Sequence, residues 1–491
     1  MNRIVASCFC IAIQSGTISG ALPGNASRTT AKHKPTKTTT STTKLDAKMD
    51  NDKFVGTWQG SLPIGNGMTL PLVFHFEESG AKLSGTLDSP AQNASGIKFD
   101  TITVHPDGSI VAAVAKLQAQ FEGKIQPSKL AGVWKQGGSS SPLSLARSFG
   151  YQPPKRAQEP QPPFPYDSEQ VSFKNSDVEI SGTLTLPKDS KSCPVVVLLH
   201  GSGPHDRDET IFFHKPFLVL ADYLTKRGIG VLRYDKRGCG KSTGDYKSAT
   251  SNDFSEDGLA AINYLKTDAR VNPAKIGLLG HSEGGLLAPI IADKSTDVSF
   301  LVMMAGAALP GDEILLGQVR KLGEGGGLPK QRLELECQMA RETYAILKAE
   351  PDDKLAIDKI KAMRHRLNPQ EDAAAEKDLS AQLAVMTSPW FRYFVSYDPR
   401  PMLSKVHCPM LAINGERDTQ VLASENLDAI KKAVESNGNK QLTVITLPKL
   451  NHLFQTCSTG LPQEYSNIEE TISPAALTVI GDWIAKQTES K

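Results

Sequence analysis

Apolar and polar residues alternate in short runs between residues 51 and 148. Three of these runs are FVGTWQGSL, TLPLVFHFEESG and KLAGVWKQGG, and the runs are separated by Gly, Asn-Gly or Asp-Gly. Alternation of this kind is typical of strands that bury one face, and the intervening dipeptides favour tight turns. The pattern therefore predicts a small all-β domain, a barrel or a sandwich, over residues 51–148.

Two tryptophans stand in related segments near the two ends of this region. GTWQG carries Trp58 and GVWKQG carries Trp134, as expected if the first and last strands bear matching tryptophans side by side. Two interpretations of the pair are open. Either both rings belong to the core of a closed sheet, which we favour, or they form an exposed platform on which sugars stack.

Apolar runs of a second kind begin near residue 193. They consist mostly of Val, Ile and Leu and are separated by amphipathic stretches: CPVVVLLHG (193–201), IGVLRYD (229–235), KIGLLG (275–280), SFLVMMAG (299–306), CPMLAING (408–415) and LTVITLP (442–448). Strands that are apolar on both faces and alternate with helices are typical of a parallel sheet covered by helices. This alternation of strands and helices is interrupted between 309 and 398, where the residue pattern is helical and contains no strand run. The pattern predicts a helical insertion between two strands of the sheet. The sequence thus predicts an α/β domain over 169–491.

Two segments of biased composition separate these regions from each other and from the start of the chain. Residues 22–50 are rich in Thr and Lys and predict a solvated linker. Residues 151–167 contain six prolines in 17 residues. Because proline fixes φ and removes a backbone donor, this stretch predicts a stiff spacer, which we place at 149–168.

The first residues resemble a secretory signal. Arg3 precedes an apolar run of ten residues at 4–13, and SGA at 19–21 supplies small residues for cleavage. Ten apolar residues are too few to span a bilayer, which needs about 20. We therefore expect a signal peptide at 1–21, a secreted or periplasmic protein and no transmembrane segment. VASC at 5–8 also resembles a lipoprotein cleavage box, so a lipoprotein is an alternative.

Composition narrows the classes of partner and cofactor. The chain has 491 residues, a formal net charge of +2 and 22% charged residues, which give no reason to expect a nucleic acid as partner. Five of its seven cysteines would remain after loss of the signal peptide, and their spacings fit no zinc motif. We expect no metal, no cofactor and no dependence on disulfides, while the oligomeric state stays open.

RGCGKSTG (237–244) contains the Gly-Lys-Ser with which a phosphate-binding loop ends. Such a loop needs a glycine at both ends of its bend, so that backbone N–H groups can wrap the phosphates. The first of these positions is Asp235, whose carboxylate would face the phosphates. We therefore interpret the likeness to a nucleotide-binding loop as a coincidence.

KIGLLGHSEGGLLAPIIADK carries the strongest chemical signal in the chain. A buried strand runs into GHSEG at 280–284 and a helix follows, which is the context of a nucleophile elbow. The residues two before and two after the serine must be glycine, because a Cβ there would collide with the sharp turn. The pattern predicts that Ser282 is a nucleophile at the carboxyl edge of the sheet.

A nucleophilic serine needs a histidine base and an orienting carboxylate, and in elbow enzymes the acid precedes the histidine in the chain. MLAINGERDTQV places Asp418 after a strand, and VITLPKLNHLFQTC places His452 after the next strand. Both would lie at the same sheet edge as Ser282. Glu416 is an alternative acid. The remaining histidines precede a strand, flank glycine in tight turns or lie in other regions: His33, His75, His105, His200, His205, His214, His281, His365 and His407.

Acyl transfer also needs two N–H donors for the developing oxyanion. One should be the backbone of Glu283, directly after the nucleophile, and the other should come from the loop after the first parallel strand, LLHGSGPHDRDE. We choose Ser202, with Gly203 as the alternative, because the glycines let the backbone approach a substrate. The run HDRDE at 205–209 is interpreted as a solvated polar loop in preference to a metal site.

Over about residues 170–490 the chain resembles the α/β-hydrolase superfamily. The resemblance rests on five motifs in order: HGSGPHDRDE, YDKRGCGKSTG, GHSEGG, NGERDTQV and NHLF. Within it they are most similar to secreted bacterial carboxylesterases that carry a small β domain ahead of the catalytic one. The resemblance implies an α/β-hydrolase sheet whose nucleophile, acid and base fall at Ser282, Asp418 and His452. These are the residues that the motifs alone favour.

The same resemblance gives expectations for the surroundings of the site. The insertion at 309–398 corresponds to a lid, and SPWFRYFVSYDPRP at its end resembles the segment that returns to the sheet near the acyl pocket. Substrate-binding residues are therefore expected in this segment: Trp390, Phe391 and Phe394. YDKRGCGKSTG implies a tight loop in which Asp235 and Arg237 pair with each other or form local hydrogen bonds.

These observations predict a serine hydrolase that cleaves small-molecule carboxylic esters through an acyl-serine intermediate. A serine peptidase or aminopeptidase of the same fold would use the same triad and is the nearest alternative. A polysaccharide- or surface-binding protein with a secondary hydrolase domain is a third hypothesis, and it depends on the two tryptophans. Epoxide hydrolases and dehalogenases are excluded, because their elbow carries Asp where Ser282 stands.

Overall fold

The structure is a computed structural model. It describes residues 51–65, 68–79, 82–92, 94–136, 139–148, 156–369, 379 and 382–489. The expected signal peptide at 1–21 and the linker at 22–50 lie outside the described residues. In the described part of the chain, one antiparallel sheet of nine strands is followed by one mixed sheet of eight strands.

The antiparallel sheet has the order β4-β3-β2-β1-β9-β8-β7-β6-β5. Its strands are β1 (Gly56–Gly65), β2 (Met68–Ser79), β3 (Lys82–Ser89), β4 (Ala94–Lys98), β5 (Thr101–Val104), β6 (Ser109–Val114), β7 (Ala119–Gln126), β8 (Lys129–Gln136) and β9 (Ser139–Ser148). Most strands pair with the next strand along the chain, and β1 also pairs with β9, where Trp58 lies opposite Arg147. The prediction of an all-β region before the α/β region is confirmed.

Alternate side chains of these strands form one apolar core. In β6, Ile110, Ala112 and Val114 are buried while their neighbours are partly exposed, as the alternating sequence predicts. Phe74 packs edge-on against Phe121, with 5.4 Å between the ring centroids. Since burial of one large apolar side chain contributes about 1.5–3 kcal/mol, apolar packing accounts for the cohesion of this sheet.

Both tryptophans of this region are buried in that core. Trp58 is 2% exposed and Trp134 is 4% exposed. Trp134 lies on β8, with β9 between it and the strand of Trp58. The expectation of matching tryptophans on the first and last strands is therefore wrong for Trp134. Rings buried to this degree offer no face on which a sugar could stack.

The second sheet has the order β10-β11-β13-β12-β14-β15-β16-β17. Its strands are β10 (Asp167–Asn175), β11 (Val178–Leu186), β12 (Cys193–Leu199), β13 (Gly230–Tyr234), β14 (Val271–His281), β15 (Val298–Met304), β16 (Met410–Gly415) and β17 (Leu442–Leu447). The six strands from β12 to β17 are parallel and coincide with the six apolar runs of the sequence. The antiparallel hairpin of β10 and β11, which the sequence did not predict, extends one edge.

Helices cover both faces of this sheet. They are α1 (Pro216–Thr225), α2 (Ser251–Leu265), α3 (Glu283–Lys294), α4 (Gly311–Gly325), α5 (Lys330–Ala349), α6 (Asp353–Leu367), α7 (Pro389–Ser396), α8 (Arg400–Leu403), α9 (Ala423–Glu435) and α10 (Pro474–Thr488). One core contains Phe217 of α1 and Ile480 of α10, and the other contains Ile262 of α2 and Leu287 of α3. Among the described residues, no helix is long and apolar enough to cross a membrane.

The described residues between β15 and β16 are mostly helical, as the sequence predicts for 309–398. The apolar sides of its helices join the core next to α2 and α3, for example at Leu315 and Tyr344. The last helix within 309–398, α7, begins where Ser388 accepts the backbone N–H of Phe391 at 3.3 Å, and Pro389 occupies the first turn. These start signals set the first residue of α7, and the helix packs against α4 and α5.

Residues 156–166, the described end of the expected proline-rich linker, lie against the α/β part of the chain. Arg156 donates a hydrogen bond to the carbonyl oxygen of Ile468 at 2.8 Å. The side-chain amide of Gln158 donates to the carbonyl oxygen of Ile472 at 2.7 Å and accepts its N–H at 3.1 Å. This stretch is thus hydrogen-bonded to the loop that precedes α10.

Candidate active site

Ser282 lies in the sharp turn between β14 and α3. Its φ is 53° and its ψ is −114°, which is a strained conformation for a residue with a Cβ. A Cβ on Gly280 would lie 2.0 Å from the carbonyl oxygen of Gly284, and one on Gly284 would lie 1.9 Å from that of Leu199. The turn therefore has the geometry of a nucleophile elbow, in which only glycine fits on either side of the serine.

Asp418 follows β16, and His452 follows β17. Nδ1 of His452 donates to Oδ2 of Asp418 at 2.8 Å. The other carboxylate oxygen, Oδ1, accepts the backbone N–H groups of Gln420 at 2.8 Å and Val421 at 2.9 Å. Because Nδ1 is engaged by the carboxylate, Nε2 is the ring nitrogen left for proton transfer.

Glu416, the alternative acid, has a different partner. Its side chain is exposed, and Oε2 accepts the backbone N–H of Lys449 at 2.9 Å. The ring of His452 donates its hydrogen bond instead to the buried Asp418. The structure therefore joins the histidine to one of the two candidate acids and leaves the other at the surface.

The two residues chosen as oxyanion donors line the same pocket as Ser282 and His452. Ser202, Ser282, Glu283 and His452 all belong to the lining of a cavity of about 70 Å³. The loop after β12 turns at Gly203, whose φ of 111° favours glycine. The carboxyl ends of three different strands thus contribute to one site.

Aromatic side chains of α7 form one wall of this pocket. Trp390, Phe391 and Phe394 line it together with Ile314 and Leu315 of α4. The rings of Trp390 and Phe394 stack with 5.5 Å between their centroids. The wall is apolar, and it offers favourable contact to an acyl chain or an aromatic acid.

The polar run after β12 is largely buried. His205 is 4% exposed and Glu209 is 2% exposed, so the interpretation of HDRDE as a solvated loop is wrong for these two residues. Glu209 accepts the backbone N–H of Gly201 at 2.6 Å and pairs with Nδ1 of His281 at 3.2 Å. The sequence does not predict the pairing with His281, because this partner lies 72 residues away along the chain.

His281 links the carboxylate of Glu209 to the backbone of His452. Its Nε2 lies 3.0 Å from the carbonyl oxygen of His452. Burial acts to lower the pKa of His281, but the charge of Glu209 and its hydrogen bond raise that pKa above the usual value. Burial acts in turn to raise the pKa of Glu209, while His281 holds it at about 2. An imidazolium in this position donates from both ring nitrogens.

Asp235 fills the bend that resembles a phosphate-binding loop. Its Oδ2 accepts the backbone N–H of Lys241 at 2.9 Å, and a Cβ on Gly240 would lie 2.5 Å from the same oxygen. The loop therefore already holds an anion, its own carboxylate, where a phosphate would sit. Asp235 pairs with Arg207 at 2.7 Å, whereas Arg237 pairs with a carboxylate of α2. The two residues do not pair with each other.

No group of three or more His, Cys, Asp or Glu side chains that could hold a metal occurs in the described part of the chain. The cysteines of that part are free thiols: Cys193, Cys239, Cys337, Cys408 and Cys457.

Comparisons with known proteins relate the α/β part to enzymes. The family model described as "Serine aminopeptidase, S33" matches residues 190–456. Esterase EstD of Thermotoga maritima is 30% identical over 322 residues, which cover 64% of this chain and 68% of that protein. A proline iminopeptidase of Saccharolobus solfataricus is 41% identical over 95 residues, which cover 19% of this chain and 26% of that protein. Est1E from Butyrivibrio proteoclasticus, solved with bound ferulic acid, covers 65% of this chain and 98% of its own at 18% identity and a TM-score of 0.39.

Proposed function

The chain belongs to the serine aminopeptidase S33 family of α/β hydrolases, and from this premise we propose that it is a serine esterase. It cleaves carboxylic esters of small molecules through an acyl-serine intermediate. The observation that carries the proposal is the hydrogen bond of 2.8 Å from His452 to Asp418, because His452 lines the same pocket as Ser282. The 30% identity to a protein named an esterase supports the choice of substrate class.

The reaction proceeds in two halves. In the first, Oγ of Ser282 attacks the ester carbonyl carbon while Nε2 of His452 takes the hydroxyl proton. The N–H groups of Ser202 and Glu283 stabilise the negative charge on the carbonyl oxygen. His452 then protonates the leaving alcohol as the carbon–oxygen bond breaks. In the second half, His452 takes a proton from water as the water oxygen attacks the acyl carbon. It returns this proton to Oγ of Ser282 as the acyl–serine bond breaks and the acid leaves.

Asp418 keeps the base in the state that this cycle needs. Its carboxylate fixes the proton on Nδ1 of His452 and stabilises the imidazolium formed in each half. Two backbone N–H groups hold the carboxylate itself in place. The acid is therefore oriented before a substrate arrives, and orientation of this kind costs nothing at the moment of reaction.

The pocket lining supports an esterase over an aminopeptidase of the same family. An aminopeptidase needs a carboxylate that is free to bind the substrate's ammonium group. Among the described residues of the pocket lining, the acidic side chains are Glu209 and Glu283. Glu209 is bonded to His281, and Glu283 is bonded to Lys236 at 3.1 Å. Because both are already paired, the remaining apolar walls favour an ester over a peptide terminus.

A comparison of matched substrates tests the proposal. We expect kcat/KM for p-nitrophenyl acyl esters to exceed that for aminoacyl p-nitroanilides by at least roughly 10³, or about 4 kcal/mol of transition-state stabilisation. Activated esters are intrinsically reactive, so hydrolysis of an unactivated ethyl or methyl ester is also required. Ser282→Ala is the control. It should lose turnover by several orders of magnitude and all labelling by a fluorophosphonate probe.

Efficient cleavage of the anilides without cleavage of an unactivated ester would assign the protein to the peptidases. Labelling and turnover that survive in Ser282→Ala would show that another residue is the nucleophile. The two failures are distinct, since the first concerns the substrate and the second concerns the site.

A further inference from the structure

Lys236 is buried next to residues that line the candidate active site. Its side chain is 2% exposed, in the loop that follows β13. The ammonium group lies 3.1 Å from Oε2 of Glu283, 2.8 Å from the carbonyl oxygen of Gly201 and 3.2 Å from that of Gly203. It also lies over the ring of Phe254, 4.1 Å from the centroid. A buried ammonium is costly unless its charge and its donors are matched, and here both are.

The two carbonyl groups flank Ser202, which makes the position of Lys236 significant. The carbonyl of Gly201 and the N–H of Ser202 belong to the same peptide unit. In a trans peptide these two groups point in opposite directions. A hydrogen bond that pulls the carbonyl of Gly201 toward Lys236 therefore turns the N–H of Ser202 away from it. Ser202 lies in the lining of the pocket that holds Ser282.

The partner of Lys236 is the other residue assigned to the oxyanion hole. The carboxylate of Glu283 also accepts hydrogen bonds from Oγ of Ser251 at 2.6 Å and from Nε1 of Trp390 at 2.7 Å. Its backbone N–H follows the nucleophile in the chain. One buried ion pair thus connects both proposed donors, Ser202 and Glu283, and a third contact ties it to the aromatic wall of α7.

We propose, on the basis of the esterase function above, that Lys236 is a positioning residue of the oxyanion hole. It holds the peptide between Gly201 and Ser202 so that the N–H of Ser202 faces the substrate oxygen, and Glu283 neutralises its charge. Stability alone is a poor reason for such a pair, because apolar residues of similar volume often replace buried ion pairs without loss. A rigid donor aimed at the transition state is a reason specific to catalysis.

The test compares the full-length enzyme with the double variant Lys236→Met/Glu283→Gln. This variant removes both charges together, keeps similar side-chain volumes and leaves no unpaired buried ion. We expect kcat for an ester, per active site titrated with a fluorophosphonate, to fall by about 10²–10³, as for loss of one oxyanion donor. KM should change by less than about threefold, because the donor acts mainly in the transition state.

A boronic acid supplies a second measurement. Its tetrahedral adduct with Ser282 resembles the intermediate, so its affinity should fall in parallel with kcat. The single variant Lys236→Met should show the same losses and also a lower Tm, since it leaves Glu283 unpaired. Lys241→Met is the matched control, because Lys241 lies in the same loop with an exposed side chain. It should leave kcat, KM and Tm unchanged.

Two results would overturn the proposal. One is a double variant whose kcat per titrated site equals that of the unmodified enzyme. The other is a loss confined to Tm or KM, with boronic acid affinity unchanged, which would make the pair purely structural. Failure of the esterase function looks different, because the unmodified enzyme and Lys241→Met would then lack ester turnover as well.

Discussion

The two sheets of this protein bury very different side chains. Among the described residues of 51–148, the buried polar residues are Asn51 and Ser89, and neither is ionisable. The part from residue 156 onward buries ionisable groups of both signs: Arg156, His200, His205, Glu209, His214, Arg233, Asp235, Lys236, Asp257, His281, Glu283, Glu336, Arg364, Asp418 and His452. Many of them lie in the loops after β12, β13, β14, β16 and β17.

This difference shows where the chain can perform chemistry. Removing an ion from water costs several kcal/mol even after relaxation, on the order of the net stability of a domain. Such groups persist when they are paired, and the pairs converge on the candidate site. The antiparallel sheet is held together mainly by apolar packing and cross-strand pairing, and ion pairs on it, such as Lys135 with Glu122, are exposed. The contrast predicts that substitutions in the α/β part change turnover, while those in the antiparallel sheet change stability.

Among substitutions that compare the two regions, we expect the largest loss of turnover at Asp418. Asp418→Asn keeps the shape of the side chain but removes the charge that orients His452, so kcat should fall by about 10⁴. Glu416→Gln is the matched control, since it lies two residues earlier and bonds only to a backbone N–H in the structure. It should stay within roughly tenfold of the unmodified enzyme. Steady-state kinetics on one ester would measure both variants.

The reverse ranking of these variants would move the orienting acid to Glu416. That outcome would also require the loop after β16 to rearrange, because Glu416 is exposed and Asp418 carries the hydrogen bond to the histidine.

A smaller loss of turnover is expected on substitution of Gln158, which lies in the chain between the antiparallel sheet and the α/β part. Its Oε1 accepts the backbone N–H of Thr471 at 2.6 Å, and Thr471 in turn bonds to Nδ1 of His214 at 3.0 Å. Nε2 of His214 lies 3.0 Å from the side-chain amide of Gln455, in the loop that carries His452. Gln158→Ala leaves buried backbone groups unpaired and should lower the free energy of unfolding by about 1–3 kcal/mol.

The same variant should lower kcat by roughly three- to tenfold, because a small displacement of the base weakens catalysis. Gln161→Ala is the control, since the amide of Gln161 is exposed and bonds only to the carbonyl of Glu159 at 3.4 Å in the structure. Denaturant unfolding and ester kinetics on both variants provide the measurement. If the two glutamines behave alike, the proline-rich stretch is a spacer without influence on the site.

Local patterns in the sequence explain what could be predicted. The six parallel strands follow from runs that are apolar on both faces, and the turn at Ser282 follows from its two flanking glycines. The loops that hold Asp418 and His452 come directly after such strands, so their common edge follows from topology. Each of these inferences needs only a short window of sequence.

The contacts that could not be predicted join distant segments. Lys236 stands between Asp235 and Arg237, and three charged residues in a row indicate an exposed loop when seen alone. Its burial depends on Gly201 and Glu283, which are 35 and 47 residues away in the chain. The sequence also predicts that Trp134 lies on the last strand of the antiparallel sheet, whereas it lies on β8 and β9 follows. The segment that forms β9 is rich in serine and has few large apolar residues, so its pattern does not indicate a strand. Pairing partners, rather than local pattern, decide such positions.

The smallest effect on turnover is expected at Trp58, in the antiparallel sheet. Its indole N–H donates to the carbonyl oxygen of Phe54 at 2.7 Å, and the guanidinium of Arg147 lies 4.6 Å from the ring centroid. Trp58→Ala removes a large buried side chain and should destabilise this sheet by about 3–5 kcal/mol. Lys135→Ala, at an exposed position of β8, should change its stability by less than about 0.5 kcal/mol.

Ester kinetics of Trp58→Ala, measured at temperatures below its unfolding transition, then decide whether the antiparallel sheet and the α/β part are independent in function. The described residues that line the pocket all come from the α/β part of the chain. Trp58→Ala should therefore keep kcat and KM within roughly twofold of the unmodified enzyme, despite a loss of stability larger than that expected for Gln158→Ala. Thermal unfolding followed by circular dichroism would measure the stability, and fluorophosphonate titration would count intact sites. A tenfold loss of kcat per intact site would mean that the antiparallel sheet influences the pocket. It would contradict the conclusion that this sheet affects stability while the α/β part determines turnover.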